Sequence, residues 1–299
     1  MDRHLLFIIN PISGTRNKAA LNDLIEAKTK TAGFRYSIHP SKSSGDYAHL
    51  HKFIAEQKVT DVIIGGGDGT VNQVVNNLKR FDIAFGILPL GSGNGLAFGA
   101  LLPKNIEKAL DVVFAGKHEW TDAFEINSHF ACMLCGLGFD AQVAHNFAND
   151  PARGLVTYIK KTVLHFFKAK AYPFVIQSGD DVLETEAMFI SIANSNQFGN
   201  NFTIAPHASL TDGLLDIVIV SRQSRMRMLL ETYRQIRGFN KLYKAKIKDS
   251  KASVLYFQTA SLTIKNPSLA PLHIDGDPAE TAEEINVKVI KNCFRLIYP

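Results

Sequence analysis

Val62-Ile-Ile-Gly-Gly-Gly-Asp-Gly-Thr-Val-Asn72 sets an apolar β run against three glycines, a carboxylate and a hydroxyl, then opens into the helical pattern Val71 to Leu78. A buried strand ends here, and glycines let the backbone turn tightly and approach an anion without a Cβ in the way. The following helix offers N–H groups and its positive dipole end, so the combination is a phosphate site. It is not a P-loop, because no Lys-Ser/Thr pair closes it. Gly-Gly-Gly-Asp-Gly is not the dinucleotide fingerprint G-x-G-x-x-G either. A ligand-free glycine turn has the same local pattern, so the neighbouring segments decide.

Two of them repeat the arrangement. Leu5 to Ile9 is a short apolar strand followed by Asn10-Pro11-Ile12-Ser13-Gly14-Thr15 and a helical stretch with Lys18, Leu21, Leu24 and Ile25. Ile83 to Leu88 leads into Pro89-Leu90-Gly91-Ser92-Gly93-Asn94-Gly95. Loops of this kind at the carboxyl ends of neighbouring strands are where an open α/β sheet binds its ligand.

Up to about residue 122 strands and helices alternate: Leu5 to Asn10, Lys18 to Thr31, Phe34 to His39, Tyr47 to Glu56 and the strand at Asp61. Alternation predicts a parallel, doubly wound α/β domain. Beyond Trp120 short strands take over, at Phe130 to Cys135, Pro173 to Gln177, Glu186 to Ala193, Leu215 to Val220, Ser253 to Gln258 and Leu262 to Lys265. Turn residues separate them, which predicts a mainly antiparallel, β-sandwich second domain. Ile285 to Ile290 and Phe294 to Ile297 alternate like two further strands.

The chain has 299 residues, 46% hydrophobic and 20% charged, enough for a sizeable core and more than one domain. Three cysteines exclude a disulfide framework; Cys132 and Cys135, three apart in an apolar run, are expected in the core. No apolar stretch reaches the ~18 residues of a membrane span, and the first residues run into a strand, so a cytoplasmic protein is expected. The net charge of +5 is unevenly placed. Arg222 to Lys251 holds ten Lys or Arg against Glu231 and Asp249, interleaved with Met226, Leu229, Tyr233, Phe239 and Tyr243. Arg153 to Lys170 is similar, with Leu155, Tyr158, Phe166 and Phe167. Both suit peripheral contact with an anionic membrane, here the inner face, as well as a solvated helix face. No motif points to nucleic acid.

Asn10-Pro-Ile-Ser-Gly14, Gly65-Gly-Gly-Asp-Gly-Thr-Val-Asn72 and Pro89-Leu-Gly-Ser-Gly-Asn94, in this order, resemble the diacylglycerol kinase catalytic-domain superfamily, which includes bacterial lipid kinases and sphingosine kinases. The resemblance continues through Gly136-Leu-Gly-Phe-Asp-Ala141, Ile204-Ala-Pro206, Thr211-Asp-Gly-Leu-Leu-Asp216 and Ile274-Asp-Gly-Asp277. It implies a phosphofructokinase-like nucleotide domain over 1–122, with 287–299 returning to it, and a lipid-binding β-sandwich over 123–286. A cleft lined by the glycine loops and by Asp275-Gly276-Asp277 is then expected, with ATP and Mg²⁺ as cofactors.

The resemblance implies that Asn10, Pro11, Ile12, Ser13, Gly14, Gly66, Gly67, Asp68, Gly69, Thr70, Val71, Asn72, Gly91, Ser92, Gly93 and Asn94 hold ATP. Ser41 matches a Thr that contacts ATP in relatives. Asp68 can hold the nucleotide's Mg²⁺ or cap the helix behind it. The family's acceptor-side motif is usually Asp-Gly-Glu, whose acidic third residue maps to Asp277, one methylene shorter. Asp275 and Asp277 both stand as candidates for the base; in an extended strand they would face the same side, and a tight turn of the Asp-Gly-Asp-Pro type has the same pattern. Asp212, with the carbonyls of Ser209 and Leu214, resembles a structural Mg²⁺ loop; an Asp-Gly turn has the same pattern. Asp140 is either a head-group contact or a strand-end turn residue. Gly95 stands where many diacylglycerol kinases have Asp, closer to sphingosine-kinase style, so the acceptor stays open between diacylglycerol and a long-chain base. The implied function is transfer of the γ-phosphate of ATP to a lipid hydroxyl. The alternatives are a soluble NAD-kinase-like enzyme and a non-catalytic nucleotide- or lipid-binding regulator.

Overall fold

The computed structural model describes residues 3–14, 17–148, 170–199, 202–203, 205–222 and 254–299. Ile204 and the two basic stretches, apart from Lys170 and Arg222, lie outside the described residues. The chain divides into two compact units, residues 1–121 with 292–299 and residues 122–291.

In the first unit β1 (His4–Ile9), α1 (Lys18–Thr31), β2 (Arg35–Pro40), α2 (Leu50–Gln57), β3 (Asp61–Gly66), α3 (Asp68–Leu78) and β4 (Ala84–Pro89) alternate, followed by α4 (Gly95–Gly99) and α5 (Ile106–Ala115). The sheet runs β2-β1-β3-β4, all parallel. The chain leaves β1 for β2 on one side and then returns to β3 on the other. Strand order therefore reverses between β1 and β3, where such sheets open a crevice at their carboxyl ends. All six residues of β1, β3 and β4 are buried, as strands covered on both faces require.

Local signals account for the helices. Asn17 caps α1, its Oδ1 accepting the Ala19 N–H at 2.9 Å, and Leu21, Ile25 and Thr29 form the buried stripe at four-residue spacing. Asn105 caps α5 through the Lys108 N–H at 3.1 Å, and Gly116, with φ +69°, ends it. Neither α4 nor α5 was expected from the alternation. At the amino end of β3, the Arg3 guanidinium makes two bonds of 3.0 and 2.9 Å to buried Asp61 and caps the carbonyls of Val113 and Phe114 at 2.8 Å. That fork joins the first strand, the third strand and the end of α5.

The second unit continues with β5 (His118–Ile126), which begins in the first unit, then β6 (His129–Ala131), β7 (Leu134–Gly138), α6 (Phe139–Ala148), β8 (Tyr172–Ser178), β9 (Asp181–Ala193), β10 (Gln197–Gly199) and β11 (Phe202–Thr203). The remaining strands are β12 (Leu215–Ser221), β13 (Val254–Thr259), β14 (Ser261–Lys265), β15 (Leu272–Ile274), β16 (Asp277–Ala279) and β17 (Glu284–Ile297). Pairing in this unit is antiparallel, as the turn-separated strands predict. The first half of β9 pairs with β8 and its second half lies between β7 and β12. The core gathers Phe124, Leu137, Phe174, Ile190, Ile217, Phe257, Ile264 and Ile285, each worth roughly 1.5–3 kcal/mol when fully buried. Cys132 and Cys135 are buried, in agreement with a core role.

Two expectations about strands change. The run Phe130 to Cys135 is not one strand: it breaks at Cys132 and Met133, whose N–H groups turn to a carboxylate instead of a ladder. The two terminal runs are instead one strand, β17, whose Arg295 and Leu296 lie parallel to β4 in the first unit.

Candidate functional site

In the first unit the three glycine loops form one hydrogen-bonded structure. At the end of β1 the Asn10 N–H donates to the Gly65 carbonyl at 2.7 Å, and its side-chain amide donates to Thr70 Oγ1 at 2.8 Å. Its Oδ1 accepts the Ile12 N–H at 3.0 Å, curling the loop back on itself. The Gly66 carbonyl accepts the N–H of Leu90 at 3.0 Å and of Gly91 at 3.2 Å, joining the second loop to the third. A Cβ on Gly91 would stand 2.4 Å from the Gly67 Cα, so a glycine at 91 is what allows these backbones to approach. Asn94, buried and left-handed at φ 56°, closes its own loop through Gly91 with bonds of 2.8 and 2.7 Å.

Asp68 opens α3, yet one of its bonds reaches across to another helix: Oδ1 accepts the Leu96 N–H of α4 at 3.2 Å. The carboxylate therefore sits at the amino ends of two helices, where their dipoles favour negative charge. Gly69 and Thr70 lie in the first turn of α3, whose amides have no acceptor four residues back. Val71 differs, because its N–H donates to the Gly67 carbonyl at 3.0 Å and its side chain is in the core. Pro11 and Ser92 are exposed, whereas Ser13, Gly93 and Asn72 are half-buried. The Ser41 N–H donates to the Ile9 carbonyl at 2.9 Å, which brings the end of β2 to the end of β1. Beside it Tyr47 is fully buried; burial raises its pKa, against the opposing bonds from Lys42 and Ser41. Lys18, expected only as a helix residue, places its ammonium on the Ser13 carbonyl and adds a positive charge to the first loop.

In the second unit the acidic motif is a hairpin turn rather than an extended strand. Asp275 and Gly276 have φ of +49° and +87°, and Ile274 pairs with Asp277 across the turn. Two positive φ values in a two-residue loop are the primed-turn geometry, so of the two sequence readings the tight turn is the one found, and Asp275 and Asp277 do not share a strand face. Asp275 is 4% exposed, and its carboxylate accepts the N–H groups of Cys132 at 3.0 Å and of Met133 and Leu134 at 2.9 Å. Asp277 is exposed. Loss of solvation and the Asp275 charge raise its pKa, with His273 opposing.

Sequence reasoning missed His273, which is 2% exposed and lies between Asp140 and the Gly276 N–H. Asp140, two residues past the end of β7, stands in the first turn of α6 and accepts the Ala141 N–H at 2.8 Å. Cys135, close by, has its thiol pKa pushed well up by burial and then by the charges of Asp275 and Asp140.

The Asp212 loop is organised from two sides. Asp122, another residue that the motifs did not reveal, donates its N–H to the Leu210 carbonyl and accepts the Gly213 N–H on Oδ2, at 2.7 and 2.6 Å. Asp212 Oδ1 accepts the Leu214 N–H at 3.0 Å, a side-chain-closed turn, while the Ser209 hydroxyl lies 3.3 Å from that of Thr211. The Gln258 amide reaches Asp216 at 3.1 Å and Asp212 at 3.5 Å. Asp216 is fully buried; burial raises its pKa, Tyr256 and Gln258 oppose, and the nearby Asp212 adds to the rise. Among the described residues no three His, Cys, Asp or Glu side chains converge as a metal cage. Two neighbouring carboxylates and loop carbonyls are nevertheless hard oxygen donors, the chemistry that suits Mg²⁺.

Residues 4–126 match the family model of the diacylglycerol kinase catalytic domain, and residues 134–297 match that of the YegS C-terminal NAD kinase beta sandwich-like domain. The chain belongs to the diacylglycerol kinase and YegS-like family of lipid kinases. Among the relatives in this lipid kinase family, a "Probable lipid kinase YegS-like" of Enterobacter sp. (strain 638) is 30% identical over 226 residues, covering 72% of this chain and 75% of its own. A "Diacylglycerol kinase" of Bacillus subtilis (strain 168) is 25% identical over 276 residues, 90% of this chain and 88% of its own. A diacylglycerol kinase crystal structure from Bacillus anthracis str. Sterne superposes with a TM-score of 0.74 at 20% identity, over 100% of this chain and 97% of that one. It shares the lipid kinase fold, an α/β domain of parallel strands followed by a β-sandwich of antiparallel strands.

Proposed function

We propose that this kinase transfers the γ-phosphate of ATP to a hydroxyl of a membrane lipid, a diacylglycerol or a long-chain base such as sphingosine. The observation that carries the reading is the union of three glycine loops at the carboxyl ends of β1, β3 and β4, through Asn10–Thr70, Gly66–Gly91 and Asp68–Leu96. Phosphoryl transfer asks mainly for positioning and charge neutralisation. The amides of Gly69 and Thr70, the approach of Gly67 to Gly91 and the charge of Lys18 supply a cradle for phosphate oxygens. Residues 10–14, 66–72, 91–94 and Ser41 make up this nucleotide site.

Asp68 would hold the nucleotide's Mg²⁺, and Asp212 with the Ser209 and Leu214 carbonyls a structural Mg²⁺. The nucleotide's Mg²⁺, held by Asp68, would supply neutralisation of phosphate charge. On the acceptor side Asp277 takes the proton of the lipid hydroxyl, and the upward direction of its pKa makes it a stronger base than an ordinary carboxylate. Asp275 is better suited to holding the turn, because three main-chain N–H groups already occupy its carboxylate. The first unit would handle the nucleotide and the second the lipid. No described helix is long and apolar enough to cross a membrane. Peripheral contact at the inner face, through Arg153 to Lys170 and Arg222 to Lys251, is the mode of access we favour.

The sandwich model's likeness to NAD kinase favours one second reading, phosphorylation of NAD. Labelled γ-phosphate, offered with Mg²⁺ to micelles of diacylglycerol, sphingosine, ceramide or monoacylglycerol and to NAD, separates the two. A labelled lipid supports the first reading and names the acceptor; label on NAD alone supports the second.

A further inference from the structure

Gly136 in β7 and His273 in β15 stand opposite one another in register. The buried ring of His273 bridges two groups. Nε2 lies 3.4 Å from Asp140 Oδ2, and Nδ1 accepts the Gly276 N–H at 3.3 Å. A ring nitrogen that accepts a hydrogen bond carries no proton, so the proton sits on Nε2 and points to the carboxylate.

The room for this pair is made by an absent side chain. A Cβ on Gly136 would stand 2.0 Å from Asp140 Oδ2 and 2.7 Å from His273 Nε2. Asp140 in turn stands in the first turn of α6, where the helix dipole favours its charge. His145, further along α6, lies 2.7 Å from the Leu272 carbonyl and holds the helix to β15 a second time. The turn is thus gripped from two directions, Asp275 by the amides of residues 132–134 and Gly276 by His273.

We propose that His273 is a positioning residue for Asp277: Asp140 holds the ring in its Nε2–H tautomer, and Nδ1 orients the Gly276 peptide so that the turn presents the next carboxylate in one geometry. The proposal rests on the reading of Asp277 as the base. Misplacing a reacting group by about 1 Å costs on the order of 10²-fold in rate, so a hydrogen bond on the adjacent peptide has kinetic weight.

Two substitutions separate the two ends of the ring. His273→Asn keeps an acceptor near the place of Nδ1 and loses the donor to Asp140; His273→Gln keeps a donor near Nε2 and loses the acceptor for Gly276. The test combines the ¹³C carboxyl resonance and titration of Asp277, kcat and KM for ATP and lipid, and thermal melting. Expected are a displaced Asp277 titration and a kcat about 10²-fold lower in His273→Gln with both KM values unchanged, and recovery to within about tenfold in His273→Asn. Equal titrations of Asp277 in the wild type and both variants, or kcat losses that follow melting temperature alone, would overturn it. A wild-type protein that phosphorylates no lipid contradicts the function instead, and the Asp277 resonance then still decides the positioning.

Discussion

Asp275 and Leu134 bind each other twice: the Asp275 N–H donates to the Leu134 carbonyl at 2.8 Å, and Asp275 Oδ1 accepts the Leu134 N–H at 2.9 Å. With Cys132 and Met133 adding two more N–H groups, the carboxylate serves as the anchor of a left-handed turn. Hydrogen bonds to a buried charge are worth roughly 1.5–3 kcal/mol each. Asp275→Asn turns an NH₂ donor towards donors and should lower unfolding stability by about 2–4 kcal/mol. Denaturant titration measures it; an unchanged midpoint would make Asp275 free to act in chemistry.

The pH dependence of Asp277 has a definite sign. Its folded-state pKa lies above the ordinary 3.8, first through lost solvation and then through Asp275. The folded protein then holds this proton more tightly than the unfolded chain. Its stabilising contribution is complete below pH 3.8 and is lost as pH rises through the higher folded value. Asp277→Asn should flatten that part of the stability curve. In the wild type kcat/KM for lipid should rise with pH as Asp277 ionises, and this limb should disappear in the variant. A limb that persists unchanged assigns the base elsewhere.

Gly91 tests the nucleotide loops by sterics alone. A methyl group there meets the Gly67 Cα at 2.4 Å, so Gly91→Ala must part the second and third loops. ATP affinity should fall at least about tenfold, the effect of losing roughly 1.4 kcal/mol. Gly33→Ala is the control, because a Cβ there meets nothing within 4 Å although φ is +75°. Calorimetric titration with ATP should show weakening in the first variant only.

These outcomes also mark what the sequence disclosed. The parallel sheet and its loops were legible because Leu5 to Ile9, Val62 to Gly66 and Ile83 to Leu88 are apolar runs ending in glycine, and local chemistry alone dictates such turns. The break at Cys132 and Met133 was not, because it depends on a carboxylate more than 140 residues away. The same is true of His273, whose partners come from α6 and the following turn; a histidine two residues before Asp275 was the only local signal. The sequence left Asp275 and Asp277 open between an extended strand and a tight turn, because apolar flanks allow the first and Asp-Gly the second. The Asp-Gly favours a primed turn, and that preference prevailed.

Asp68 joins α3 to α4 through the Leu96 N–H at 3.2 Å, so its removal affects both structure and charge. Asp68→Asn preserves the acceptor oxygen and removes the charge, whereas Asp68→Ala removes both. If the carboxylate serves Mg²⁺, both variants should raise the Mg²⁺ concentration needed for half-maximal rate, by about tenfold or more for a lost charged ligand. Restoration of a normal Mg²⁺ response by Asn would reduce Asp68 to a link between helices.

The most direct measurement is single-turnover transfer of labelled γ-phosphate to the lipid acceptor at saturating ATP, by the wild type and by Asp277→Asn. Loss of a general base lowers the chemical step by about 10²–10⁴-fold. A drop of that size is expected with ATP binding intact; equal transfer rates in the two proteins would contradict the assignment of Asp277 as the base.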